Sequence, residues 1–295
     1  MRLDRWPRSL AIFVGSAAFF LLYRQAVSDL SLLEIALRSA AAFILTWAIS
    51  TANYIINEIA DAPFDIHHPT KQHRPLISGE IRKSALILGA LLLSVLSLGM
   101  AYLSFSPAFF LSLLALLIAG FIYNIKPIRT KDIPFLDSVS ESANNPIRFF
   151  IGWFAFASPQ VFPPVSLLLC WWSFGNFLMV AKRLSEFRLL QEKAGDYRQS
   201  LSRYSRNSLL IGMAVSALVF FITYFSFALT FQLQSFLYLS PLVFLYFFIF
   251  FRKTLGEKEV MEEPERLLKN PAFALYTLVI ALAFFLSFLW DNLHQ

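Results

Sequence analysis

The residues best suited to chemistry in this 295-residue chain first gather between Thr51 and Ile81, in TANYIINEIADAPFDIHHPTKQHRPLISGEI. Asn53, Asn57 and Asp61 recur at every fourth position, so they share one face of a helix. Pro63 is expected to end or kink that helix near Asp61. Asp65 then lies about a turn further on, able to fold back towards the same point. Glu58 stands about 100° round the helix from Asn57. Three carboxylates and two amides are thus expected to converge. All are oxygen donors, and hard oxygens suit Mg²⁺, which needs only one or two protein carboxylates beside water and substrate phosphates. Zinc fits less well. His67, His68 and His73 are near, but no Cys joins them and their spacing matches no common zinc site. The competing reading is an interfacial helix end, with Asn and Asp as caps.

Cations follow the acids. Lys71 and Arg74 lie directly downstream. They would either neutralise the charge that one Mg²⁺ leaves on a diphosphate or anchor the loop beside the membrane. Lys126, Arg129 and Lys131 offer the same two readings. Further on, Asp137, Glu141, Asn144, Asn145 and Arg148 are spaced by three or four, so a helix would carry them as one stripe. In lipid such a stripe must face protein, as a polar wall that contacts an acceptor or as internal pairs of Glu141 with Asn145 or Arg148. A last group begins at Lys182, Arg183 and Glu186. From Lys182 to Arg206 seven basic residues meet three acidic ones, a balance of +4.

The elements that must position these residues are membrane spans. Hydrophobic residues make up 57% of the chain and charged residues 15%, against about 25% charged in an average soluble domain. No aqueous core could hide this much apolar surface, so the chain is read as an integral membrane protein, not a soluble enzyme, a disordered chain or a disulfide scaffold. Cys170 stands alone. A span needs about 20 mostly apolar residues, and nine runs qualify: 10–23, 33–56, 85–105, 108–123, 135–157, 165–181, 209–229, 236–251 and 272–290. The fifth is interrupted by the Asp137–Arg148 stripe. The first lacks a small-residue cleavage site and is read as a retained helix. The N-terminus and the loops after spans 2, 4, 6 and 8 hold 22 of the 25 Lys and Arg residues. That asymmetry puts the N-terminus and these loops in the cytoplasm and the C-terminus on the opposite side of the cytoplasmic membrane. The pI near 9.5 reflects topology and anionic lipid headgroups, with no nucleic-acid partner required. One transmembrane domain over 1–295 is expected, with motif loops at about 57–84 and 182–208.

The arrangement N-x-x-x-D-x-x-x-D followed by H-P-x-K-x-x-R-P-L-x-S-G resembles the first signature of the UbiA superfamily of intramembrane prenyltransferases. Here it reads Asn57, Asp61 and Asp65, then His68, Pro69, Lys71, Arg74, Pro75, Leu76, Ser78 and Gly79. Nine spans with long loops after the second and sixth are also similar to that family. Glu58 stands where many members carry Asp. The resemblance implies an all-helical bundle of about nine transmembrane helices around a central cavity. It also implies Mg²⁺ and a diphosphate at the acidic motif, where Asn57, Glu58, Asp61 and Asp65 are the metal candidates. Tyr123 and Lys126 look like the family's Y-S-x-x-x-K region, where Tyr and basic residues approach the diphosphate.

Members typically carry a second D-x-x-x-D cluster after span 6. This chain has Ala181-Lys182-Arg183-Leu184-Ser185-Glu186 there, which weakens a second metal site and adds phosphate-binding capacity. With Tyr197, Arg198, Ser200 and Tyr204 it resembles the branch of polyprenyl-phosphate phosphoribosyltransferases. That likeness implies transfer from phosphoribosyl diphosphate to a polyprenyl phosphate with release of pyrophosphate. Lys71, Arg74, Lys126 and Arg129 would then neutralise the diphosphate, and Lys182 and Arg183 would hold the 5-phosphate or the lipid phosphate. The alternative is prenyl transfer from a prenyl diphosphate to an aromatic or other lipophilic acceptor, with Asp137 or Glu141 assisting proton loss. A more distant one is a secondary transporter, which would carry broken helices at mid-membrane.

Overall fold

Seven apolar runs fold into helices of 18 to 34 residues, long and apolar enough to cross a membrane. The computed structural model describes residues 3–23, 25, 28, 30–66, 75–190, 195, 198–256 and 270–293. In chain order the α-helices are α1 (Ile12–Leu22), α2 (Leu32–Asp65), α3 (Lys83–Ser104), α4 (Pro107–Asn124), α5 (Leu136–Ser142), α6 (Asn144–Phe154), α7 (Val165–Leu190), α8 (Arg206–Thr230), α9 (Gln234–Gly256) and α10 (Pro271–Leu293). No strand occurs among the described residues. Large apolar side chains project outward along α3, as at Leu88, Leu92, Leu96 and Leu103, and along α10, as at Leu278, Leu282 and Leu286. Water would not tolerate such surfaces; lipid matches them.

The nine expected spans divide into seven long helices and two shorter arrangements. The first run begins as a 3₁₀ segment, Leu3–Ala11, and continues as the 11-residue α1. The fifth is interrupted at Ala143 between α5 and α6. Pro146 supplies the physical reason: it has no N–H for the Ser142 carbonyl, and its ring crowds that oxygen.

The chain packs as two compact units. The first comprises residues 1–163 with 196–198. Within it α1 and α6 touch backbone to backbone. A Cβ at Gly152 would lie 1.8 Å from the Ile12 carbonyl oxygen, and one at Gly15 would lie 2.0 Å from that of Phe149. Ser16 Oγ donates to the Gly152 carbonyl at 2.9 Å. Small residues at a membrane helix crossing permit this approach, and packing replaces the hydrophobic drive that water would supply. Asn53 fixes α2 against α4, donating from Nδ2 to the Leu116 carbonyl at 2.7 Å while its side chain fills the space over Gly120. Ala52 and Ile55 of α2 meet Leu86 and Ala90 of α3.

The second unit comprises residues 164–195 and 199–295. Asn176 of α7 donates to Ser216 of α8 at 2.9 Å. Phe177 and Phe220 each pack on Phe247 with ring centroids 4.7 Å apart. Both ends of α9 are secured by neighbours. Asp291 of α10 accepts from the Ser235 backbone N–H and hydroxyl, and Arg188 of α7 donates to the carbonyls of Thr254 and Leu255 at 2.8 and 2.9 Å. These partners satisfy backbone groups that a helix end leaves open.

Candidate active site

The acidic stripe rides on the longest helix. The 34 residues of α2 rise about 51 Å, well beyond the ~30 Å hydrocarbon layer, so one end must project, and the polar end is the C-terminal one. Pro63 does not end this helix, which runs unbroken to Asp65. The Pro removes only the bond to the Ile59 carbonyl, two residues from the end. Asp65 therefore does not fold back. It lies about 6 Å along the axis from Asp61, and Glu58 lies about 10.5 Å from Asp65. The three carboxylates are therefore strung along the helix and do not converge as the sequence suggests. Among the described residues no three His, Cys, Asp or Glu side chains gather closely enough to hold a metal by themselves. Asn57, Asp61 and Asp65 instead form an oxygen stripe four residues apart. Asn57 is half-buried; Glu58 and Asp65 are buried.

The donor set still fits Mg²⁺. The stripe is purely oxygen, with neither thiolate nor imidazole. One or two of its oxygens, with phosphate and water, would complete the usual shell.

Asp61 is the electrostatic centre of unit 1. Its Oδ1 accepts from Arg129 Nη2 at 3.2 Å and also from Lys131 Nζ. The Lys131 ammonium donates in addition to Asn124 Oδ1 at 2.8 Å and sits 5.8 Å from the centre of the Tyr123 ring. Burial pushes the Lys131 ammonium down to about 8, while Asp61 opposes the shift. Arg129 spreads its guanidinium over both helices and its own turn. Nη1 donates to the carbonyls of Ala60 and Asn124, each at 3.2 Å, and Nε donates to Asp132 at 2.8 Å. Its backbone is left-handed, with φ of 32°, a conformation costing a non-glycine residue about 1–2 kcal/mol. The charged bonds of its side chain offset that cost.

A second polar group joins this one through Tyr123. Its hydroxyl donates to Glu141 Oε2 at 2.9 Å and accepts from Arg198 Nη1 at 3.0 Å. Arg198 also stands 3.9 Å from Oδ2 of the fully buried Asp137. Asn144 donates to the Glu141 carbonyl at 3.0 Å, and Arg148 reaches Ser50 at 3.5 Å. Tyr123 can reach Glu141 because α4 lies alongside α5.

The structure thus brings together Asp61, Tyr123, Arg129, Asp137 and Glu141 of the sequence-derived candidates. Lys126 is exposed beside them. Lys71 and Arg74 lie outside the described residues. Gly79, of the same motif, adopts φ of 81°, which explains a glycine there. Lys182, Arg183 and Glu186 belong to the second unit. Lys182 is half-buried. The Arg183 side chain is fully buried, and its Nη1 donates to Glu186 at 2.7 Å. Asn124 and Asp132 belong to no motif that marks them in the sequence. Only the turn that carries Arg129 and Lys131 back onto α2 gives these two a role.

Residues 10–278 match the model of a family described as the UbiA prenyltransferase family. The decaprenyl-phosphate phosphoribosyltransferase of Mycolicibacterium smegmatis is 25% identical over 193 residues, covering 65% of this chain and 58% of that protein. The protein of the same name from Mycobacterium tuberculosis is 25% identical over 187 residues, covering 62% of this chain and 59% of that one. The chain thus spans less than two thirds of the length of these curated relatives. Among solved structures, a UbiA homologue from Archaeoglobus fulgidus superposes with a TM-score of 0.68 at 19% identity over 97% of both chains. A UbiA homologue from the same organism bound to GPP and Mg²⁺ gives 0.65 at 20% identity, over 95% of this chain and 99% of that one. These structural likenesses establish the fold.

Proposed function

The chain belongs to the UbiA prenyltransferase family, and we propose that it is a Mg²⁺-dependent intramembrane transferase that moves a phosphoribosyl group onto a polyprenyl phosphate. The observation that carries this reading is one acidic stripe set among many cations. Asp61 engages both Arg129 and Lys131, and an Arg183–Glu186 pair stands where a second acidic cluster is typical of the family. Two phosphorylated substrates need more positive charge and fewer carboxylates than one prenyl diphosphate does. The relatives named as decaprenyl-phosphate phosphoribosyltransferases support the same reading.

In this reaction an oxygen of the lipid phosphate attacks the anomeric carbon of the donor. The bond from that carbon to the diphosphate oxygen breaks, and pyrophosphate departs with the bonding pair. The attacking group is already an anion, so no strong protein base is required. One or two of the oxygens offered by Asn57, Asp61 and Asp65 would hold Mg²⁺, which when bound neutralises charge growing on the leaving group. Lys131 and Arg129 add fixed positive charge beside it. Lys71, Arg74 and Lys126 are proposed to neutralise the diphosphate, and Lys182 and Arg183 to hold the 5-phosphate or the lipid phosphate. The active-site loops and the N-terminus are cytoplasmic in this reading, and the C-terminus is on the opposite side.

The test is direct binding by purified protein in detergent. Phosphoribosyl diphosphate is expected to bind only with Mg²⁺ present, and prenyl diphosphates are expected not to bind. The reverse result assigns the chain to prenyl transfer, the activity suggested by homologues bound to DMAPP or GPP. Turnover with pyrophosphate release separates either enzyme from a transporter.

A further inference from the structure

Unit 1 includes one described residue from far along the sequence, Arg198. Its guanidinium faces two oxygen groups from different helices. Nη1 donates to the Tyr123 hydroxyl of α4 at 3.0 Å and stands 3.9 Å from Oδ2 of Asp137 on α5. Asp137 is fully buried, so its charge calls for a close cation. The Tyr123 hydroxyl in turn donates to Glu141 at 2.9 Å. Both hydrogen-bonding functions of that hydroxyl are engaged, which fixes the direction of the ring. The ring faces the Lys131 ammonium at 5.8 Å, within the range of cation–π attraction, and that ammonium rests on Asp61.

We propose that Arg198 is a positioning residue for the cation cluster: seated on Asp137 and the Tyr123 hydroxyl, it holds the Tyr123 ring against Lys131 and so keeps the Lys131 ammonium on Asp61. The proposal deepens the transferase reading, because it rests on this cluster gripping the diphosphate of the donor. It assigns Arg198 an action through Tyr123, not direct contact with phosphate. Both contacts are made by Nη1, at the end of a side chain that reaches further than that of Lys.

The experiment is a double-mutant cycle between Arg198→Met and Tyr123→Phe, read on Mg²⁺-dependent binding of inorganic pyrophosphate by the full chain in detergent. Each single variant is expected to weaken binding about tenfold. The double variant is expected to be no weaker than the worse single variant, within about twofold. Arg198→Lys keeps the charge but not the reach of Nη1 and is expected to resemble Arg198→Met. Additive losses overturn the proposal, because a residue touching phosphate directly would cost the same in either background. Wild-type affinity in Arg198→Lys overturns it equally. If wild-type protein binds no pyrophosphate, the transferase reading fails by itself. The same cycle read on thermal unfolding then decides the proposal, with non-additivity supporting the link and additivity sinking it. Should Arg198→Met not fold, Arg198→Lys and its combination with Tyr123→Phe carry the cycle.

Discussion

Lys131 and Asp61 form a partly buried ion pair in which the lysine also holds the Asn124 side chain, so one ammonium joins the acidic end of α2 to the last residue of α4. Removing either charge should affect ligands differently. Asp61→Asn takes away the central oxygen of the stripe and is expected to abolish Mg²⁺-dependent diphosphate binding. Lys131→Met keeps the stripe but removes a fixed charge beside the leaving group, and should lower kcat/KM about 10²-fold. Calorimetric titration and pyrophosphate release check the two. A loss below threefold in Lys131→Met would remove Lys131 from the proposed chemistry.

The crossing of α1 and α6 makes a stability prediction independent of catalysis. An added Cβ at Gly152 would overlap the Ile12 backbone carbonyl at 1.8 Å, and backbone cannot turn aside as a side chain can. Gly152→Ala should therefore destabilise by about 1–3 kcal/mol, the range for overpacking. Gly99 of α3 has nothing within 4 Å of the same atom, so Gly99→Ala should be close to neutral or slightly stabilising. Thermal unfolding in one detergent compares the pair; equal midpoints for the two variants would contradict the close crossing.

Much of this architecture is legible in the chain because spans and stripes are local patterns. Seven of nine apolar runs became long helices, and the spacing of Asn53, Asn57 and Asp61 gave one helix face directly. What escaped depends on neighbours. Pro63 looks like a helix terminator, yet so near the end of α2 it costs a single backbone bond. Pro146, by contrast, breaks the fifth run into two helices, where the sequence marked only its polar stripe. The partners of Asp61 could not be read at all. Arg129 and Lys131 reach it only because the turn after α4 returns to α2, through a left-handed Arg129 that no sequence rule favours. Arg198 reaches Tyr123 across 75 positions of chain.

The start of α9 offers a test of the second unit. Asp291 accepts from the backbone N–H of Ser235 at 3.1 and 3.2 Å and from its hydroxyl at 2.7 Å, acting as a helix cap supplied by α10. Asp291→Ala should cost about 1–2 kcal/mol, as loss of a cap does. Ser235→Ala should cost less, since its backbone donor still finds the carboxylate. The order of unfolding midpoints is the readout, and a more damaging Ser235→Ala would refute the capping account.

The Arg183–Glu186 pair allows structural and phosphate-binding roles of Arg183 to be separated. The Arg183 side chain is fully buried and its Nη1 lies 2.7 Å from Glu186. Glu186→Gln deprives that buried cation of its closest carboxylate and should destabilise by about 3–5 kcal/mol. Replacing both, as Arg183→Met with Glu186→Leu, removes the charges together and should be far milder, because well-packed apolar groups replace a buried pair at little cost. If Arg183 also holds a substrate phosphate, the stable double variant should still lose about tenfold or more in affinity for phosphoribosyl diphosphate. Full affinity in that variant would assign the pair to the fold alone and remove Arg183 from the proposed phosphate site.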